Sequence, residues 1–396
     1  RKINAKRLFD NIFLCAGLCL VLSGLVYANS IFHATDYIGL KMKKTDIYSE
    51  QYVSPDSVAV TPSGEKRNLI YLCLESMETT YADTAAGGRM EQNYIPQLTQ
   101  LAEDETCFSE KGAVGGFHNT AGSTWTSGAL FSSTAGMPYY TSMKQANGEF
   151  APDVTTLYDI LGEDGYSQYF VCGSDAHFGG RSDYYKSHGN LTIYDLHSAK
   201  DDGYIADDYH VWWGLEDEKL YDMAKDKILA AAAEDKPFSF TVLTVDTHFP
   251  KGYHCSICGN EYENDSANVI KCADRQAAEF IQWCKEQDFY DNTTIVVAGD
   301  HRRMDKIFPV DITSYERTAY LTFVNSAVQQ DNTAGRIYTQ LDIMPTTLAA
   351  MGYEIEGNRL GLGTNLFSDV PTLAESLGFE KLNEEMGKRA DYAPYV

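Results

Sequence analysis

The sequence predicts an α/β protein with a mostly parallel central sheet, preceded by a membrane-crossing helix. Three observations predict it. Five short, nearly unbroken apolar runs are spaced along the chain, as strands buried on both faces require. Segments with apolar spacing near 3.6 lie between those runs, as amphipathic helices require. An uncharged stretch, Asn11 to Phe32, lies near the N-terminus and is long enough to cross a ~30 Å hydrocarbon core at about 1.5 Å per residue. At 396 residues and 44% hydrophobic content, the chain can bury a large core.

The elements follow in order. Arg1, Lys2, Lys6 and Arg7 precede the apolar stretch and Asp36 follows it, so the basic side is expected in the cytoplasm and the rest outside. A cleaved signal peptide would have a shorter apolar region, and Tyr27-Ala28-Asn29-Ser30 is a poor cleavage site. The first residue is arginine, which predicts a fragment or a processed chain. Residues 1–35 are therefore expected to be an anchor with a basic cytoplasmic end. Residues 36–66 are polar, carry Lys41, Lys43, Lys44 and Pro55, and are expected to be a juxtamembrane linker. Residues 67–370 hold the strand–helix alternation and form the expected extracytoplasmic catalytic domain, with 371–396 as a tail. The predicted strands are Asn68–Leu74, Gln168–Cys172, Phe238–Val245, Thr293–Ala298 and Ala319–Val324. The predicted helices are Ile95–Glu105, Val154–Leu161, Glu216–Ala233, Asp274–Gln287 and Leu341–Met351.

A formal net charge of −24 repels a phosphate backbone, so a nucleic-acid partner is not expected. Of the nine cysteines, Cys15 and Cys19 lie in the membrane stretch, and Cys73 and Cys172 lie in apolar runs as small core residues. Cys255, Cys258 and Cys272 fall in a polar loop. Cys255-x-x-Cys258 is half a zinc knuckle without a second Cys-x-x-Cys; outside the cytoplasm, a Cys258–Cys272 bridge is the expectation.

Ligands of such sheets collect beyond the carboxyl ends of the strands. Four strand ends supply chemistry here: Glu75 and Ser76; Gly173 to Arg181; Asp246, Thr247 and His248; Asp300 and His301. Asp300 and His301 are good neighbouring ligands for a divalent cation, against the blander reading of a helix cap and a surface imidazole. Glu75 follows six apolar residues, so it must be paired, exposed at the sheet edge or bound to metal; Glu78 is a weaker candidate. The turn Gly122-Ser-Thr-Trp-Thr126-Ser-Gly runs into a helix. A hydroxyl there sits in a positive partial field beside free N–H groups that bind phosphate oxygens, although ordinary capping is commoner. Position alone does not choose among Ser123, Thr124, Thr126 and Ser127. In His177-Phe-Gly-Gly-Arg181, Arg181 is suited to a bidentate phosphate clamp. His248, in Val245-Asp-Thr-His-Phe-Pro250, is suited to donate to a phosphate or leaving-group oxygen. Phe178 reads first as core packing, and as the wall of a glycerol-sized pocket second.

The ordered motifs NLIYLCLESMETTY, GSTWTSGALFSSTAGMP, GYSQYFVCGSDAHFGGRSDYYKSHG, FSFTVLTVDTHFP and TTIVVAGDH resemble the bacterial phosphoglycerol transferases. These are lipoteichoic acid synthase-like enzymes of the alkaline phosphatase and sulfatase superfamily, and the likeness is nearest to the periplasmic-glucan branch. It covers roughly residues 66 to 370. The resemblance implies an alkaline phosphatase/sulfatase-like sandwich. It implies Thr126 as nucleophile, and Glu75, Asp300, His301 and the Thr126 oxygen around one divalent ion, Mn²⁺ or Mg²⁺, with Zn²⁺ the metal of a related branch. Phe178, Arg181 and His248 would line the glycerol-phosphate pocket. Phosphatidylglycerol would be the donor lipid, and a glycan or polyol-phosphate polymer the acceptor. The sulfatase signature of Cys or Ser followed by x-Pro-x-Arg is absent near Thr126, which argues against a formylglycine sulfatase. Phosphoethanolamine transferases share the threonine and metal logic, and a phosphodiesterase would resolve the same adduct with water; the HFGGR stretch favours glycerol phosphate. Trp213 and Gly214 also look family-like, with no role assigned.

Overall fold

The computed structural model describes residues 5–112, 114–140, 143–144, 148–310, 315–330 and 333–390. Arg1 and Lys2 of the expected basic flank, and the end of the expected tail, lie outside them. Helix α1, Ala5–Phe32, contains the 24-residue apolar stretch Phe9–Phe32, which is wholly unburied and, by length and composition, sufficient to cross a membrane. It ends where His33 adopts a left-handed conformation at φ 48°, and a short helix, α2, Ala34–Lys41, follows.

Seven strands build the central sheet: β1 Asn68–Leu74, β2 Gly116–Phe117, β3 Ser167–Cys172, β4 Thr192–Tyr194, β5 Phe238–Leu243, β6 Thr293–Gly299 and β7 Ala319–Val324, in the order β2-β7-β6-β1-β5-β3-β4. The pairs from β6 through β4 are parallel; β7 runs antiparallel to β6, and β2 antiparallel to β7. All five predicted strands are present. β2 and β4, with two and three residues, carry too little pattern to be legible in the sequence.

Alternation along β1 explains the two layers. Leu69, Tyr71 and Cys73 face one cluster, with helices α4 Thr126–Ala135, α5 Leu157–Glu163, α6 Arg181–Ser187 and α9 Ile343–Ala350. Ile70, Leu72 and Leu74 face the other, with α3 Pro96–Asp104, α7 Asp217–Ala232 and α8 Asp265–Lys285. Strands β1, β5, β6 and β7 are therefore covered on both faces, which is why their runs read as continuously apolar. Register then positions the site: Leu74 pairs with Gly299, and Cys73 with Leu243, so the chain leaves β1, β5 and β6 at one level.

Several expectations are corrected. Residues 36–66 do not form a free linker. Ile47 and Tyr48 are buried in the core, Lys44–Thr45 pairs with Arg389–Ala390, and Val60–Pro62 pairs with Tyr353–Ile355. The tail is folded too, with Leu382 and Met386 buried. Apolar residues too sparse to show a period nevertheless have a core to reach. Helix α8 starts nine residues before its expected start, because the Asn264 side chain caps it by accepting the Ser266 N–H. Cys272 is consequently helical, not in a loop. All nine cysteines are free, so the Cys258–Cys272 bridge is not formed; the Cys255 sulfur stands 3.3 Å from Cys258 and 3.8 Å from Cys272.

Candidate active site

The parallel register of β1 and β6 brings Glu75 and Asp300 side by side. The Asp300 N–H donates to the Leu74 carbonyl, and the Glu75 N–H to Thr244 Oγ1. Asp300 Oδ1 accepts the N–H groups of Ser76 and His301, both at 2.7 Å. Ser76 holds a left-handed conformation, φ 51°, and its hydroxyl donates to Glu75 Oε1 at 2.7 Å. That strained residue turns its N–H to one carboxylate and its O–H to the other. Asp300 Oδ2, in contrast, is buried and has no hydrogen-bond partner among the described residues. His301 Nδ1 lies 2.9 Å from the Arg302 carbonyl, to which only a protonated nitrogen can donate. The neutral ring therefore presents the Nε2 lone pair, 3.4 Å from Asp300 Oδ2 and 3.7 Å from Glu75 Oε1. Thr126 Oγ1 donates to Glu75 Oε2 at 3.1 Å and lies 3.5 Å from His301 Nε2.

The donor set fits a small divalent cation. One ligand atom each from Glu75, Asp300 and His301 lies within 4.8 Å of the others, all three residues are buried, and an orphaned carboxylate oxygen is otherwise costly. The imidazole is oriented by its other nitrogen, as metal-bound histidines are. Burial pushes the Asp300 carboxyl up, and the charge of Glu75 adds to the rise. Burial acts on Glu75 in the same sense, but His301 and His248 outweigh it and hold Glu75 below its usual value. Burial would lower His301, yet Asp300 and Glu75 reverse that and raise it. Asp300 and His301 thus feel the negative charge of the neighbouring carboxylates, while Glu75 feels the positive charge of the imidazoles. Glu78 does not reach it: its carboxylate is forked by Arg317, with Nε at 2.7 Å. Its burial is thus explained by an ion pair.

Thr126 is the first residue of α4, so its hydroxyl sits at that helix's N-terminus beside N–H groups without intrahelical partners. Of the other three hydroxyls, only that of Ser127 borders the same cavity as Thr126 among the described residues. Ser123 is buried and donates to the Thr120 carbonyl, Thr124 is exposed, and Ser127 lies against Gly179. A Cβ on Gly179, whose φ is 67°, would stand 2.5 Å from Ser127 Oγ, so glycine is needed there on both counts.

A cavity of about 240 Å³ opens beside Thr126, with Phe178, Arg181, Trp213 and His248 in its walls. Arg181 is buried; its Nε donates to the Phe178 carbonyl at 3.0 Å, and its Nη2 to Ser174 Oγ at 2.9 Å and the Asp175 carbonyl at 2.8 Å. The guanidinium is thereby fixed, with Nη1 the nitrogen not tied to the protein among the described residues. A full two-nitrogen clamp is thus replaced by a locked, partly committed one. His248 Nδ1 is engaged by the Phe249 carbonyl at 2.7 Å, which leaves Nε2 for a ligand. Phe178 is 59% exposed and is not core packing. Its ring lies 5.2 Å from Trp213, which in turn lies 4.7 Å from the His248 ring. Trp213, which has no role assigned from the sequence, props both His248 and Phe178; its signal there was only its place in the family-like stretch VWWGLEDE.

Arg181→Lys is expected to lower turnover at this site by about 10²-fold, since one ammonium cannot replace three oriented N–H contacts and still face the cavity. Steady-state kinetics with KM separated from kcat checks it; near-normal kcat would make Arg181 a scaffold residue only.

Behind His248, Asp246 and Asp217 face one another. Burial, with Asp217 next, pushes the Asp246 carboxyl up to about 10; burial pushes Asp217 up to about 7. A carboxyl raised by folding contributes most stability below its unfolded value and loses that contribution as pH climbs to the folded one. The window for Asp246 therefore runs from 3.8 to about 10, stability falling with rising pH. Asp246→Asn is expected to flatten this decline by several degrees of Tm at the alkaline end, as thermal unfolding across pH would show.

The sulfatase family model matches residues 67–353, more than half of the chain. The chain belongs to the sulfatase family. This family member is 29% identical to phosphoglycerol transferase I of Xanthomonas axonopodis pv. citri over 347 residues, 85% of the chain and 47% of that protein. It thus spans about half the length of the curated relatives it matches. Two solved structures share the fold. The lipoteichoic acid synthase LtaP of Listeria monocytogenes has a TM-score of 0.59 at 21% identity, covering 79% of this chain and 80% of that one. An alkaline phosphatase superfamily protein of Vibrio parahaemolyticus has a TM-score of 0.58 at 22% identity, covering 80% and 74%. The expected alkaline phosphatase/sulfatase-like sandwich with a mostly parallel sheet is the fold found.

Proposed function

We propose that this protein is a membrane-anchored phosphoglycerol transferase. It moves glycerol phosphate from phosphatidylglycerol to an envelope glycan or polyol-phosphate polymer through a covalent Thr126 adduct. The observation that carries the reading is the Thr126 hydroxyl: at a helix N-terminus, hydrogen-bonded to Glu75, beside Asp300 and His301, and at the mouth of a cavity walled by Arg181 and His248. Similarity to phosphoglycerol transferase I supports the choice of donor. The cavity suits a head group rather than a whole lipid.

In the first half, Thr126 Oγ1 attacks phosphorus while the bond to the diacylglycerol oxygen breaks. The threonine proton has the Glu75 carboxylate as its immediate acceptor, and protonated His248 Nε2 is placed to give a proton to the leaving oxygen. Arg181 and the α4 N–H groups hold the phosphoryl oxygens. In the second half, an acceptor hydroxyl gives its proton to His248 Nε2 and attacks phosphorus, the bond to Thr126 breaks, and the proton held on Glu75 returns to the threonine oxygen. Glu75, Asp300, His301 and Thr126 would hold one divalent ion, Mn²⁺ or Mg²⁺ with Zn²⁺ as the alternative. When bound, it would lower the hydroxyl's pKa and offset charge on the phosphoryl group. Helix α1 would keep the site beside the lipid, with its basic flank cytoplasmic and the catalytic domain outside.

Vesicles containing both phosphatidylglycerol and phosphatidylethanolamine test the donor. The full chain with Mn²⁺ is expected to release diacylglycerol and consume the glycerol lipid alone; consumption of the ethanolamine lipid instead would overturn the assignment.

A further inference from the structure

The loop that leaves the site after His248 carries a second cluster that the transfer reaction does not use. Cys255 and Cys258 lie on that loop, and Cys272 lies about two turns into α8. The Cys255 sulfur is 3.3 Å from Cys258 and 3.8 Å from Cys272, and all three sulfurs lie within 4.8 Å of one another. No pair is bonded. Sulfurs held at about 2.3 Å around a tetrahedral zinc ion stand about 3.8 Å apart, so three thiols already occupy roughly one face of such a tetrahedron.

Hydrogen-bond donors reach the cluster from both helix and loop. The Cys258 N–H donates to the Cys255 carbonyl at 3.2 Å, as the turn of a Cys-x-x-Cys knuckle allows. Gln276 Nε2 donates to the Cys272 sulfur at 3.4 Å, and Arg275 Nη2 does so at 3.5 Å. Arg275 Nη2 also donates to the Ile257 carbonyl at 3.0 Å, tying helix and loop together around the cluster. Amide and guanidinium donors aimed at sulfur are the outer partners that a metal thiolate needs, and they bring little to three neutral thiols. Cys255 and Cys272 are buried.

We propose that Cys255, Cys258 and Cys272 bind one zinc ion as three thiolates, with the fourth position taken by water or an external ligand. Binding releases the three thiol protons. The ion clips the loop after His248 to α8. Because the Tyr253 N–H donates to the Asp246 carbonyl at 2.7 Å, the clip holds the strand end that carries His248. The site is separate from the Glu75, Asp300 and His301 set and does not depend on which lipid is used.

The test is metal content of the full chain, purified in detergent without chelator, for the wild type, Cys255→Ser, Cys272→Ser and Asp300→Asn. One equivalent of zinc is expected to survive Asp300→Asn and to be lost in either cysteine variant. Cobalt loaded into the wild-type chain is expected to give thiolate-to-metal charge-transfer bands, a readout that needs no variant to fold. Overturning results would be wild-type cobalt spectra without thiolate bands, or an intact mass lower by two hydrogens with a disulfide mapped among the three cysteines.

Discussion

Thr126→Ala is expected to abolish turnover, by at least about 10³-fold in kcat, while leaving Tm within a few degrees of the wild type. The argument is local. Thr126 is half-buried at the first position of α4, and its hydroxyl has two neighbours, Glu75 Oε2 and His301 Nε2. Neither contact holds the fold: Glu75 keeps the Ser76 hydroxyl, and His301 keeps the Arg302 carbonyl. Alanine is also the best helix former, so α4 loses nothing from it. If the hydroxyl is the nucleophile, removing it removes the adduct and both half-reactions. Diacylglycerol release measured beside a melting curve checks this. Activity near the wild-type level in a folded variant would move the nucleophile elsewhere.

The second large effect concerns Asp300. Asp300→Asn keeps an oxygen for the Ser76 and His301 N–H groups but places an amide N–H₂ where the orphaned Oδ2 points. A lone pair aimed at the cation position becomes a pair of donors. Rate is expected to fall by about 10³-fold or more, and bound divalent metal to drop correspondingly. Stability should move the other way. Burial and Glu75 raise the Asp300 carboxyl, so ionising it costs the fold stability as pH rises through its folded value. The neutral amide avoids that cost, and Tm in chelator should equal or exceed the wild type's. Wild-type protein in EDTA should be inactive and recover when Mn²⁺ is restored; full activity in chelator would remove the metal from the account.

Much of this arrangement was legible in the sequence because it follows from burial on both faces of a sheet. Asn68–Leu74 and Ala319–Val324 were read to the residue, since an apolar run flanked by polar residues has sharp ends. Once strand ends are known, Glu75, His248 and Asp300 fall at one edge without further information. What was not legible depends on contacts distant in sequence. Glu78 and Glu75 look alike in LCLESMETTY, and only Arg317, far along the chain, separates an ion pair from a cation ligand. Residues 45–62 look like a linker because their few apolar side chains dock on elements near the C-terminus. Phe178 reads as core because composition does not reveal that two glycines with positive φ turn it outward. The three cysteines looked like a bridge plus a spare until the helix beginning at Asp265 brought Cys272 to Cys255.

The most direct measurement is the intact mass of the full chain after incubation with phosphatidylglycerol and Mn²⁺, without acceptor, followed by peptide mapping. The account predicts one added glycerol phosphate, located on Thr126 and absent from Thr126→Ala. An unmodified chain that nevertheless releases diacylglycerol, or an adduct on any other residue, would contradict it.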